Sequence, residues 1–259
     1  MENARNSGIK KIISVGCNES TSLKNVELSR ANKNYIFATY GFHPHNAEEF
    51  DEHRHSRQLE ELVKSSAVVA VGEIGLDYYR DLSPRDIQKK VFLKQLYMAR
   101  ELGFPAVIHI RDAFEDFKSF AGNVDFKGVI HCYSGDADFA GWAVERGLYI
   151  SFTASITYPL KNIYRAAEKR KISFREALSD KSLHEGQPQQ VFDIISRVPA
   201  ERIMVETDCP YLSPHHMRGR LNEPANVSAV ASAIADIKNI DYGSFCSLST
   251  ATAEKFFGI

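Results

Sequence analysis

Seven short runs of β-branched and aliphatic residues recur along the chain, and each ends in a polar tip. They are KKIISVGC (10–17), NYIFATYGFHPH (34–45), AVVAVGEIGLD (67–77), FPAVIHIRDA (104–113), FKGVIHCYSG (126–135), LYISFTAS (148–155) and RIMVETDCPYL (202–212). Within each run the apolar positions are nearly continuous rather than alternating. That is the pattern of strands covered on both faces in a parallel sheet. The stretches between them carry helical spacing. Between the third and fourth runs, Ser83-Pro84 opens a segment with apolar residues at Ile87, Val91, Leu96, Ala99 and Leu102, and Gly103 closes it. The spacing predicts a helix with a cap-like serine at its start and a glycine stop. Strand and helix in alternation predict an α/β fold of the TIM-type (β/α) barrel class, with residues 1–259 forming a single domain.

A closed barrel of this class has eight strands, and only seven are recognised. The first residues read as the back half of a helix, Glu2 to Ser7 with Gly8 as its stop, leading into the run at 10–17. The strand expected before that helix is therefore missing, and an open sheet would expose strand edges. Residues 160–190 break the rhythm. They are long and charged and contain two helix-like pieces, which predicts a helical loop insertion after the sixth run. Such a loop either covers the barrel mouth or is a solvated elaboration. The last helix is placed at 225–239, with Pro at its start.

Composition narrows the class. Hydrophobic residues make up 44% and charged residues 25%, a globular balance able to bury a core. Formal net charge is −1, from 32 Lys+Arg against 33 Asp+Glu, so nothing points to a broad basic face for long duplexes. Any nucleic-acid contact should then be short and local. Four scattered cysteines (Cys17, Cys132, Cys209, Cys246) form no CxxC pair, which argues against a disulfide framework or zinc ribbon. A reducing compartment is expected, the cytoplasm or, in a eukaryote, the nucleus. No apolar run reaches the roughly 20 residues of a membrane helix, and the start lacks a signal-peptide core. Neither a membrane nor an obligate protein partner is expected.

The chemistry gathers at the strand tips. Glu73, His109, His131 and Asp208 each fall near the C-terminal end of a different predicted strand, and in a barrel those ends converge on one pocket. Two imidazoles and two carboxylates suit Zn²⁺, Mn²⁺ or, with more oxygen donors, Mg²⁺. Any one of them alone would more often be a satisfied buried polar residue; four on four tips make a metal site.

The motifs around these residues are specific. PAVIHIRDAFE (105–115) resembles a signature of the TatD deoxyribonucleases, P-[LIVM]-x-[LIVM]-H-x-R-x-[TA]-x-[DE], departing at Ala106. VPAERIMVETDCP (198–210) is similar to a second signature ending in E-T-D-x-P, with Ile203 in place of Leu. GFHP (41–44), GEIGLD (72–77), HCYSG (131–135) and RGRLNEPAN (218–226) follow in family order, so the resemblance runs from about residue 10 to the C-terminus. It implies a metal-dependent hydrolase that cuts phosphodiester bonds of DNA with up to two divalent ions per chain, Mg²⁺ foremost. Glu73 would bridge the ions, His109 and His131 would bind the second, and Asp208 would hold the first and activate the attacking water. His43 would face the substrate phosphate. Arg111 and Arg218 are candidate phosphate clamps, although Arg111 could instead pair with Asp112 or Glu115.

The sequence departs from the family at its start, where no D-[STA]-H-x-H motif is found. His53-Arg54-His55 lies in EEFDEHRHSRQLEEL, a polar helix on which positions i and i+2 point about 200° apart and cannot chelate one ion. That pair is expected on the surface. The first metal would keep only Glu73 and Asp208 and bind weakly. Two alternatives follow: a truncated relative with little or no turnover, or the same metal site acting on a small ester or amide. Cys132 and Cys209 are expected to pack behind the site, and His215-His216 to face solvent.

Overall fold

The computed structural model describes residues 1–183 and 188–259. His184, in the 160–190 stretch, lies outside the described residues. The chain divides into two compact units, one of Lys10–Gly135, Arg146–Leu148 and Glu254–Ile259, the other of Met1–Ile9, Asp136–Glu145 and Tyr149–Ala253.

The first unit holds five parallel strands paired in chain order: β1 (Ile12–Ser14), β2 (Ile36–Tyr40), β3 (Ala70–Asp77), β4 (Ala106–Arg111) and β5 (Gly128–Ile130). Helices Glu19–Ala31, Glu52–Lys64, Arg85–Leu102 and Phe114–Ala121 make the crossovers. All eight residues of β3 are buried, which accounts for its unbroken apolar run, whereas the three residues of β1 are only half-buried. Every strand is shorter than the run that predicted it. Outside β3 and β4 the tips leave the ladder and carry their polar side chains on loops.

Helix Arg85–Leu102 buries Phe92, Leu96 and Ala99, and Gly103 ends it in the left-handed conformation at φ 71°, as its spacing predicts. Its start differs from expectation. Pro84 holds the cap position with no side-chain bond, and Ser83 Oγ instead donates to the carbonyl of His45 at 3.1 Å. Buried Gln88, one turn in, accepts from the Asp77 N–H at 2.9 Å and donates to the carbonyls of Asp77 and Ser83. The helix start is thus a brace for the loops beyond β2 and β3. Helix Glu52–Lys64 corrects the surface assignment of the histidine pair. His53 is exposed, but His55 shares the buried face with Leu59 and Leu62, and its ring lies 4.4 Å from that of Phe42. A period of 3.6 sends neighbouring odd positions to opposite faces, so one of the two had to turn inward.

In the second unit β6 (Tyr149–Phe152) pairs in parallel with β7 (Ile203–Val205). Helix Glu2–Asn6 ends before Gly8 at φ 80°, as read from the sequence. The stretch 160–190 contains helices Lys161–Arg170 and Phe174–Ser179, which bury Ile163 and Ala177. Buried Asn222 donates from Nδ2 to the carbonyl of Thr207 at 2.8 Å and accepts from the Glu223 N–H and Asn226 Nδ2, which ties the loop after β7 to the turn at residues 223–226. One helix was not anticipated: Tyr242–Phe257 follows Val227–Lys238. Its serines and threonines are weak helix formers, and burial of Phe245 and Phe256 decides the matter.

Close backbone approach fixes the strand that matters most. Gly75 of β3 lies in register with His109 of β4, at φ 148°, and a Cβ there would sit 1.9 Å from the His109 carbonyl oxygen. Only glycine fits. Gly75→Ala should therefore destabilise the protein by about 3 kcal/mol or more, read as a lower urea midpoint; an unchanged midpoint would contradict this packing.

Candidate metal centre

Glu73 is not at the end of its strand, as its motif suggested, but fourth of the eight residues of β3. A register shift between Val71 and Ile74 interrupts pairing with β4 at that point, and an irregularity of this kind re-aims a side chain within a strand. The surrounding backbone is tied down. Glu73 N donates to the Gly16 carbonyl at 2.6 Å, Gly16 N donates to Thr39 Oγ1 at 3.1 Å, and Thr39 Oγ1 donates to the Gly72 carbonyl at 2.5 Å. The turn after β1 and the Thr39 side chain of β2 thus tie down the backbone that carries the buried carboxylate.

Imidazoles ring that carboxylate. Glu73 Oε1 lies 3.0 Å from His109 Nδ1, 3.5 Å from His43 Nε2 and 3.8 Å from His131 Nε2. Cys17 Sγ is 3.8 Å from the other oxygen. His109 is in β4, His131 directly follows β5, and His43 lies beyond β2 at the start of a short 3-10 turn. Two residues absent from the sequence assignment join them. Asp77, the last residue of β3, accepts on Oδ2 from His109 Nε2 and His45 Nε2, both at 3.0 Å, and on Oδ1 from the backbone N–H groups of Tyr79 and Arg80. Both sit inside stretches already quoted, Asp77 in GEIGLD and His45 at the end of the run 34–45, so the signal was their place at strand tips.

Electrostatics separate the histidines. Burial would raise the Glu73 carboxyl, but His131, the bond from His109 and nearby His43 hold it well below the ordinary carboxylate range. Burial pushes His43 down to about 3 despite the Glu73 charge, so it is neutral. Its Nδ1 accepts from the His45 N–H at 3.1 Å, which leaves the proton on Nε2, pointing at Glu73. His109 is the opposite case. Burial lowers it, but its bonds to Asp77 and Glu73 outweigh that and raise it above the ordinary histidine value.

The other assigned residues fall as follows. Arg111 ends β4, is exposed, and stacks its guanidinium 4.0 Å over the ring of exposed Tyr79; among the described residues it pairs with neither Asp112 nor Glu115. In the second unit, Asp208 is half-buried in the loop after β7, at φ 52°. Arg218 is exposed, 4.5 Å over the Tyr158 ring. Neither cysteine next to a site residue packs inward as expected. Cys132 is half-buried at φ 46° and Cys209 is exposed, because both sit in turns where strand alternation has ended. His216 is exposed as expected, but His215 is half-buried and stacks on Tyr164.

Donor atoms of His43, Glu73 and His109 all lie within 4.8 Å of one another, so the group can hold a metal ion. Nitrogen and carboxylate donors are what Zn²⁺ and Mn²⁺ take, and Mg²⁺ with added oxygens. The residues fit a cation. An acidic side chain ringed by imidazoles at the tips of a parallel β/α sheet defines a metal-dependent hydrolase. The family description "TatD related DNase" matches residues 1–258, and the chain belongs to that family. The metal-dependent hydrolase YabD of Bacillus subtilis is 33% identical over 100% of this chain and 91% of its own length. The 3′-5′ ssDNA/RNA exonuclease TatD of Pantoea ananatis is 30% identical over 99% and 91%. Among solved structures, the TatD homologue YjjV of Escherichia coli matches with a TM-score of 0.80 at 23% identity, over 100% of this chain and 90% of that one. That likeness carries the fold, which is of the TIM-barrel type, with seven strands among the described residues.

A pH dependence follows from His109. Its pKa is raised on folding, so its contribution to stability is complete below the unfolded value of about 6.5 and is lost as pH rises through the folded value. The melting temperature of EDTA-treated protein should fall over that interval, and His109→Gln should flatten the fall. A wild-type profile with no such slope would contradict the His109 contacts.

Proposed function

We propose that this chain is a TatD-type deoxyribonuclease that hydrolyses phosphodiester bonds at short or single-stranded DNA ends, with Mg²⁺ as its ion and Zn²⁺ or Mn²⁺ as substitutes. The observation that carries the reading is the Glu73 carboxylate faced by His43, His109 and His131. A relative that is a 3′-5′ ssDNA/RNA exonuclease supports the substrate class. So does a net charge of −1, which favours a local contact over a long duplex track. Residues 1–259 act as one catalytic domain, in the cytoplasm and without an obligate protein partner. Among the described residues no helix is long and apolar enough to cross a membrane.

In this reading Glu73, His109 and His131 would hold one metal ion, and Asp208 would serve the other and take the proton of the attacking water. That other ion, the first of the pair, would keep only Glu73 and Asp208 and be held weakly. A divalent cation at this carboxylate supplies Lewis acidity, which acidifies water and polarises a phosphoryl oxygen. His43 has a different task. Neutral and with its proton on Nε2, it donates a hydrogen bond to a phosphoryl oxygen of the substrate. Arg111 offers a planar fork to a neighbouring phosphate, and the Tyr79 ring beneath it keeps that fork in plane. Arg218 clamps a further phosphate.

Cleavage of a single-stranded DNA oligonucleotide with Mg²⁺ should be abolished by EDTA and reduced at least about 10³-fold by Glu73→Ala. Metal-independent cleavage, or none by the parent with any of the three ions, would sink the nuclease reading. Hydrolysis of small esters alone would move the substrate assignment. His43→Ala should lower kcat by about 10²–10³-fold with metal affinity unchanged in calorimetry; loss of metal binding would show His43 to be a ligand.

A further inference from the structure

We infer that Asp77 is the positioning residue of the metal centre, fixing the tautomer and ring orientation of His109 while His45 competes for the same carboxylate oxygen. The inference rests on the reading of His109 as a metal ligand. Asp77 acts through His109, which stands between it and Glu73 Oε1.

The geometry is explicit. His109 lies between two carboxylates, with Nδ1 3.0 Å from Glu73 Oε1 and Nε2 3.0 Å from Asp77 Oδ2. A neutral imidazole carries one proton. Asp77 is almost fully buried and acceptor-only, so a His109 that gave up its Nδ1 proton to a cation would keep the other at Nε2 and leave the Nδ1 lone pair free to bind. Such a carboxylate–histidine pair orients a ligand and raises its basicity. Asp77 is itself immobilised. Its Oδ1 accepts from two backbone N–H groups, and Gln88 brackets its backbone with one accepted and one donated bond. The rotation of the carboxylate is therefore set by the protein before any ion arrives.

His45 adds a second feature. Its Nε2 is also 3.0 Å from Asp77 Oδ2, while its backbone N–H sets the proton of His43. One short segment, His43-Pro44-His45, thus fixes one imidazole from the main chain and loads the carboxylate that fixes another. With two donors on one oxygen, the hold on His109 is weaker than a single partner would give. Removing the His45 donor should tighten it.

The test is Mn²⁺ binding to the full-length chain by calorimetry, for the parent, Asp77→Asn and His45→Phe. Asp77→Asn keeps shape and removes the charge, so its Mn²⁺ affinity should fall about 10–100-fold, while cleavage recovers at saturating Mn²⁺. His45→Phe should bind Mn²⁺ at least as tightly as the parent. An affinity within about twofold of the parent in a folded Asp77→Asn protein overturns the inference. Where Asp77→Asn fails to fold, the parent alone decides. Long-range ¹H–¹⁵N spectra of the Zn²⁺-loaded protein should place the His109 proton on Nε2, and a proton on Nδ1 overturns the inference. A parent that binds no metal overturns the metal reading and this inference with it; binding in the parent with no change in Asp77→Asn overturns this inference alone.

Discussion

A carboxylate buried in a protein interior persists as an anion only where its charge is met by protein groups. Glu73 imposes that constraint here. It sits mid-strand in β3, where every residue is buried, and three imidazoles converge on one of its oxygens. The break in pairing between Val71 and Ile74, the short contact to the Gly16 carbonyl and the glycine at 75 all serve to bring that carboxylate and His109 into one place. Burial works against the His109 cation, but the bonds to Asp77 and Glu73 outweigh it and raise its pKa above the ordinary histidine value.

The histidines show how one residue type takes separate tasks. His43 and His109 face the same oxygen, but the second nitrogen of each is engaged differently, by a backbone N–H in one and by a carboxylate in the other. The first becomes a neutral donor and the second a potential ligand. Nothing in the side chains distinguishes them; the hydrogen bond on the far nitrogen does.

That distinction marks where sequence reasoning stopped. Unbroken apolar runs ending in Glu, His and Asp were enough to place seven parallel strands and to bring Glu73, His43, His109 and His131 to one region, because parallel order puts every strand end on the same side. The strand-end rule then misplaced Glu73, since a shift in register leaves no mark in an apolar run. Asp77 lay within a quoted motif and His45 at the end of a quoted run, yet both were passed over, because their role depends on which oxygen meets which nitrogen. His55 turned inward, Cys209 outward and the helix Tyr242–Phe257 formed against weak propensity, each decided by packing that has no signature along the chain.

The central claim is that Glu73 and His109 bind a metal that His43 does not. Anomalous diffraction from crystals grown with Mn²⁺ tests it most directly. The account predicts a peak within coordination distance of a Glu73 oxygen and His109 Nδ1, with His43 Nε2 outside that distance. A peak bonded to His43, or no peak at Glu73, would contradict it.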